Sequence, residues 1–228
     1  MFPTPLSDHV VTVEAMTRRW TGGGAMLDFR PAAESEVVLA FLRGEIDSHR
    51  FGNDVRRALL DAGGLQLVRN PDLGSEQENQ ARVRALAAAR GWRNSGMFEG
   101  FPDEVDWHHG VLPPDALSRV RFIDYSYWNA LSGGSRRPAD VLSTLRSGTL
   151  PTWVSELGTD WCFQFAAQLA TAEVVDDLIV MATPDLGELV LLEGHARLTA
   201  IFVGGLQNRV TIRAYLGRSA AIEQWGCF

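Results

Sequence analysis

The stretch that decides the fold is ELVLLEGHARLTAIFVGG, residues 188–205. Leu189 to Leu192 form an unbroken apolar run, the pattern of a short strand covered on both faces. Leu198, Ile201, Phe202 and Gly205 then recur at helical spacing, so the period changes across Glu193-Gly194-His195-Ala196-Arg197. A glycine between a buried strand and a helix start permits a tight turn and leaves the first helical N–H groups facing outward. With Arg197 and His195 in the first turn and Glu193 before it, the junction joins partial positive charge, a fixed cation, a titratable base and a carboxylate. The bland alternative is a strand-to-helix turn with a solvated arginine. Arg and His in a first turn oppose the helix dipole unless something anionic offsets them, which favours the functional reading.

Working outward, Leu178 to Ala182 reads as a strand, Thr183 to Gly187 as its turn and Leu189 to Leu192 as the return of a hairpin. Val210, Ile212, Ala214 and Leu216 alternate with polar neighbours, predicting a strand with one covered face. Trp161, Phe165 and Leu169 mark a core helix over 159–172. A second Gly/Ser turn, Ser132-Gly133-Gly134-Ser135-Arg136-Arg137-Pro138, opens a helix through Leu145 with proline at its first position. Its alternative reading is a flexible connector with solvated arginines. Val120 to Ile123 reads as a further strand, and Trp225 as the ring that docks the tail.

Residues 1–112 read as a mainly helical region and 113–228 as a separate domain, with Pro113-Pro114 at the boundary. Residues 1–33 are expected to be an arm or loop. Helices are expected through Val37–Leu42, from about Asn53 to Gly63, and from a Ser75/Glu78 capping box to Gly91. Leu65 to Val68 reads as a short strand or extended piece. Residues 90–109 read as an ordered loop pinned by Trp92, Phe98, Phe101 and Trp107. Asp103, Asp106, His108 and His109 are ligand types, but no element fixes metal geometry there, and no metal is assigned.

The net charge of −7 and pI of about 5.2 argue against broad binding to DNA or an anionic membrane surface. No apolar run reaches the ~18 to 20 residues of a membrane span, and the N-terminus lacks signal-peptide regions, so a cytoplasmic protein is expected. Cys162 and Cys227 form no motif. The first reads as a buried small hydrophobe and the second as a spectator.

The C-terminal half, roughly residues 116–217, resembles the ParB/sulfiredoxin-like superfamily, whose nucleotide-binding turn carries Gly-x-x-Arg between a strand and a helix. Gly194-His195-Ala196-Arg197 matches it, with Glu193 where the free-serine kinases of that group carry an acid. The resemblance implies a small mixed sheet with flanking helices, so the class expected is α+β. The whole chain also resembles a bacterial family that pairs Phe-Glu-Gly-Phe-Pro, here 98–102, with Glu-Gly-His-x-Arg-Leu-Thr-Ala; that likeness implies no chemistry. His195 stands where sulfiredoxins carry their catalytic cysteine, and His195-Ala196 where segregation proteins carry Glu-Arg, so neither of those activities is implied.

The expected function is a nucleotide-dependent enzyme. ATP or another nucleoside phosphate, with or without Mg²⁺, would sit between the two turns on Gly194, His195, Arg197, Thr199, Ser135, Arg136 and Arg137. Phosphoryl transfer to a small polar metabolite, or nucleotide hydrolysis, would use Glu193 and His195. Tyr125, Tyr127 or Trp128 would stack on the base. The alternatives are a non-catalytic module binding a nucleotide or partner, and an active centre in the 98–109 loop.

Overall fold

The computed structural model describes residues 18–22, 25–93 and 95–228; the expected arm over 1–17 lies outside them. Seven strands form one mixed sheet: β1 (Arg18–Gly22), β2 (Ala25–Pro31), β3 (Asp106–Val111), β4 (Val120–Phe122), β5 (Val174–Ala182), β6 (Leu189–Glu193) and β7 (Thr211–Arg218). Their order is β1-β2-β3-β7-β5-β6-β4. β7 runs parallel to β5 and β4 parallel to β6, while the other neighbours are antiparallel.

Helices cover both faces. One layer holds α1 (Glu34–Glu45), α2 (Gly52–Ala62), α3 (Gln66–Arg69) and α4 (Glu76–Arg90). The chain continues with α5 (Pro114–Leu117), α6 (Ser126–Leu131), α7 (Val141–Ser147), α8 (Thr152–Glu156), α9 (Trp161–Leu169) and α10 (His195–Val203). The fold is therefore α+β, with helices in its N-terminal part as expected. β6 explains the layering: all five of its residues are buried, Val190 and Leu192 in the core under α1–α4, Leu189 and Leu191 in the opposite core with Leu198 and Ile201 of α10.

Local chemistry accounts for the helix limits. Ser75 Oγ accepts from Glu78 N–H, and α4 stops at Gly91 in the left-handed conformation. The Glu78 carboxylate reaches back to Asp72 N–H, at 3.0 Å, so the second half of the expected capping box is displaced by three residues. The Glu36 carboxylate accepts from Ala33 N–H at 3.0 Å at the start of α1 and also from Arg30.

Three expectations are corrected. Residues 18–22 and 25–31 pair as β1 and β2 rather than forming a loop, and β2 is joined to β3 over Phe29–Pro31, a ladder that the local Gly and Pro content does not advertise. Residues 66–69, Gln-Leu-Val-Arg, are helical; so short a segment carries no period of its own. The loop expected at 90–109 ends at Val105, and 106–111 is β3. The rings of Trp92, Phe98 and Phe101 do pin the preceding segment, with Trp92–Phe98 centroids 4.9 Å apart and Phe101 edge-on to Trp225 at 5.3 Å. Trp225 Nε1–H donates to Met97 O at 2.6 Å, which fastens the tail to this cluster.

The division at 112/113 is not a physical one. β3 pairs with β7 along its whole length, and the core under α1 includes Ile179, Met181, Val190, Leu192 and Tyr215 from the later half.

Candidate functional site

The corner at the end of β6 forms as its glycine dictates. Gly194 has φ of 100°, and a Cβ there would lie 2.4 Å from Leu178 Cδ2. No L-residue with a side chain fits without displacement. The first helical bond runs from Leu198 N–H to Gly194 O, so the N–H groups of His195, Ala196 and Arg197 stand ahead of the ladder.

Around this corner the sheet and α1 enclose four charges. Arg197 Nη2 donates to the Glu193 carboxylate and, at 3.3 Å, to Asp177 O. Glu45, at the end of α1, pairs with Arg90 Nε of α4 at 3.3 Å. α1 approaches so closely that a Cβ on Gly44 would stand 2.7 Å from Glu193 Oε1, so only a glycine leaves room for the carboxylate. Burial pushes the Glu193 carboxyl up to about 7 against the pull of Arg197, and Glu45 adds to the rise. Burial also raises Glu45, with Arg90 opposing. Glu193 therefore exchanges its proton near neutrality, unlike an ordinary carboxylate.

His195 lies against two rings, with its centroid 4.8 Å from Trp128 and 5.8 Å from Phe122, nearly parallel to both. Burial, then Arg90 and Arg197, push its pKa down to about 3, so it is neutral at physiological pH. Its Nε2 and Arg197 Nε are buried without a hydrogen bond. Such orphaned polar atoms carry a desolvation cost that a suitable ligand removes.

At the mouth, Arg50 lies 4.7 Å from the Phe51 ring and donates to Tyr125 OH at 3.2 Å, while Arg90 covers the Phe51 ring at 3.5 Å. Tyr125 is 41% exposed, which leaves it as the ring open to stacking. Trp128 is occupied by His195, and Tyr127 OH accepts from Trp161 Nε1 at 3.3 Å.

The second Gly/Ser turn lies beside the first, since residues 138–140 pack on α10. Its arginine is not aimed at the corner. Arg136 donates through Nε to Phe122 O at 2.9 Å and through Nη1 to Phe228 O at 2.8 Å, clamping the tail to β4. Ser135 Oγ donates to Ser132 O at 2.9 Å and accepts from Arg137 N–H, closing its own turn. Arg137 is exposed. Thr199 is fully buried with Oγ1 unpaired, one turn into α10 among core residues rather than at its mouth. The structure thus joins Glu193, Gly194, His195 and Arg197, and leaves Ser135, Arg136 and Thr199 in structural roles.

In the 98–109 segment the rings are buried, and Asp106 pairs with Arg218 at 2.5 Å. His108 and His109 are adjacent in β3 and so point to opposite faces, which prevents them from sharing a metal ion. A cavity of about 510 Å³ lined by Thr183, Asp185, Glu188 and Glu223 lies at the far end of the β5–β6 hairpin. Five residues of β6 separate it from Gly194, roughly 17 Å, and its acidic lining suits no phosphate.

Sequence reasoning missed Glu45 and Arg90. Each ends a helix that packs over β6 from more than a hundred residues away, and nothing local marks them. Cys162 is buried, with its thiol pushed up to about 12 by burial, which removes it as a nucleophile. No protein-family model matches the chain, and no curated protein or solved structure is significantly similar to it.

Proposed function

We propose that this protein is a nucleotide-dependent enzyme that takes the phosphates of a nucleoside di- or triphosphate at the N-terminus of α10 and transfers a phosphoryl group to a small polar metabolite or to water. The observation that carries this reading is the buried carboxyl of Glu193 paired with Arg197 at that helix mouth, where burial pushes the acid up to about 7. A phosphate on Arg197 and the N–H groups of residues 195–197 replaces the carboxylate as the partner of the guanidinium. Glu193, so released, accepts the proton of the attacking hydroxyl. Neutral His195 supplies a hydrogen bond through Nε2, and Tyr125 stacks on the base. Among the described residues no group of three His, Cys, Asp or Glu is placed to hold a metal, so Mg²⁺ would arrive with the nucleotide.

A non-catalytic nucleotide-binding module of the ParB/sulfiredoxin-like kind is the second reading, favoured by the pairing of Arg90 and Arg197 with carboxylates. Thermal shifts with ATP, ADP, CTP and GTP, with and without Mg²⁺, test binding. A nucleotide at 100 times its Kd adds about 2.7 kcal/mol. Arg197→Ala is expected to abolish the shift. If no nucleotide shifts the wild type, both readings fail; binding without turnover by phosphorus NMR leaves the module.

A further inference from the structure

The sheet face beneath α1 carries a second polar group that the nucleotide reading does not use. The strand registers align Arg30 of β2, His109 of β3, Tyr215 of β7, Ile179 of β5 and Glu193 of β6 in one cross-strand row. α1 lies along this row, with Glu36 bonded to Arg30 at one end and Gly44 against Glu193 at the other. Next to the row, the pairing of β5 with β7 slips between Val175 and Leu178. That bulge turns Asp177 toward β3, and bulges recur where a side chain must be re-aimed.

We propose that Asp177 and His109 form a proton-transfer dyad in a second site, which binds small molecules carrying a carboxylate or phosphate next to a hydroxyl. His109 Nε2 and Asp177 Oδ1 are 2.8 Å apart. Burial pushes the Asp177 carboxyl up, but the His109 hydrogen bond and the charges of His109, Arg213 and Arg197 outweigh it and hold the carboxyl below its usual range. An ionised Asp177 only accepts, so Nε2–H donates to it, and in the neutral ring Nδ1 is the atom left with a lone pair. The ring is held against Tyr215, tilted by 37° with centroids 4.4 Å apart. Nδ1 makes no hydrogen bond to a described residue.

The cation for the substrate anion is Arg213. Its Nε lies 3.4 Å from Asp177 Oδ1, and its side chain is 45% exposed, which directs the rest of the guanidinium to solvent. Arg30 is neutralised by Glu36 in a two-bond fork, while Arg43 of α1 and Arg197 of α10 add positive potential behind the dyad. Burial and the nearby Asp177 and Glu36 push Tyr215 up to about 12, so its hydroxyl stays protonated and serves as a donor. In the step assigned to His109, the substrate O–H bond breaks, Nδ1 takes the proton on its lone pair and the electron pair stays on the substrate oxygen. Asp177 offsets the charge of the imidazolium. Asp177 is a positioning residue and His109 the catalytic one.

The test reads the lone pair directly. Native protein is treated with diethyl pyrocarbonate, and acylation of each histidine is followed by peptide mass mapping, with and without inorganic phosphate or acetate. His109 is expected to react at least as fast as exposed His49, although its side chain is only 17% exposed. Asp177→Asn should slow it, because the ring loses the carboxylate that fixes its tautomer and raises its basicity. Saturable protection by phosphate, by acetate or by both assigns the anion class, and Arg213→Gln should weaken that protection by roughly tenfold. Arg213→Gln alters a half-exposed side chain and decides the matter if Asp177→Asn does not fold. Acylation slower than at His49, or protection that survives Arg213→Gln, overturns the proposal.

Discussion

Replacing Glu193 by Gln should make the protein more stable at alkaline pH than the wild type. The carboxyl titrates at 4.5 in an unperturbed chain and at about 7 when buried beside Arg197. The native state thus holds its proton over a range in which the unfolded chain has lost it. The stability this gives is complete below pH 4.5 and falls by about 1.4 kcal/mol per pH unit until the folded carboxyl ionises, a total of about 3 kcal/mol. His195 acts in the opposite sense. Its folded value, depressed from 6.5 to about 3, contributes stability that is present above pH 6.5 and lost as the pH falls toward 3. The two effects oppose one another between pH 4.5 and 6.5, so the wild-type curve alone cannot separate them. Glutamine has the shape of the protonated acid and does not titrate, so the difference between variant and wild type isolates Glu193. Urea unfolding at half-unit steps from pH 5 to 8.5 gives that difference. It should rise in favour of Glu193→Gln up to about pH 7 and be level by pH 8. A flat difference, or one that rises in favour of the wild type, would show that attraction to Arg197 outweighs desolvation and that the buried acid is ionised throughout.

Gly194→Ala should cost about 2 kcal/mol or more, since it adds a methyl 2.4 Å from Leu178 Cδ2 to a left-handed residue; thermal unfolding measures it, and a loss below 0.5 kcal/mol would refute the steric account. Arg136→Gln should release the tail, seen as faster amide hydrogen exchange over residues 225–228 while α10 keeps its protection. Unchanged exchange there would mean that Trp225 and the Asp124 N–H bond to Cys227 O hold the tail without Arg136.

The strand, glycine and helix of residues 189–203 were legible because each depends on neighbours a few positions away. The same holds for α4, with Ser75 at one end and Gly91 at the other. β1 and β2 were hidden because what joins them to the sheet is β3, far along the chain. His109 read as part of a loop because β3 gains its regularity from β7 rather than from its own alternation. The pairing of Glu193 with Arg197 follows from helical geometry, but the closeness of Gly44, Glu45 and Arg90 follows from how α1 and α4 pack, which no local pattern encodes. The dyad of Asp177 and His109 depends on a bulge, and a register slip leaves no mark in the order of residues.

The strand order also bears on how the chain folds. Both partners of β3 are distant in sequence: β2 ends at Pro31 and β7 begins at Thr211. During synthesis the hairpin and β3 must therefore wait with an open edge until most of the polypeptide has emerged, and only the helices α1 to α4 can gather early. Folding with so many distant partners is slow, and the waiting edge is the segment most exposed to aggregation. Chaperone demand should thus fall on the nascent chain before β7 appears.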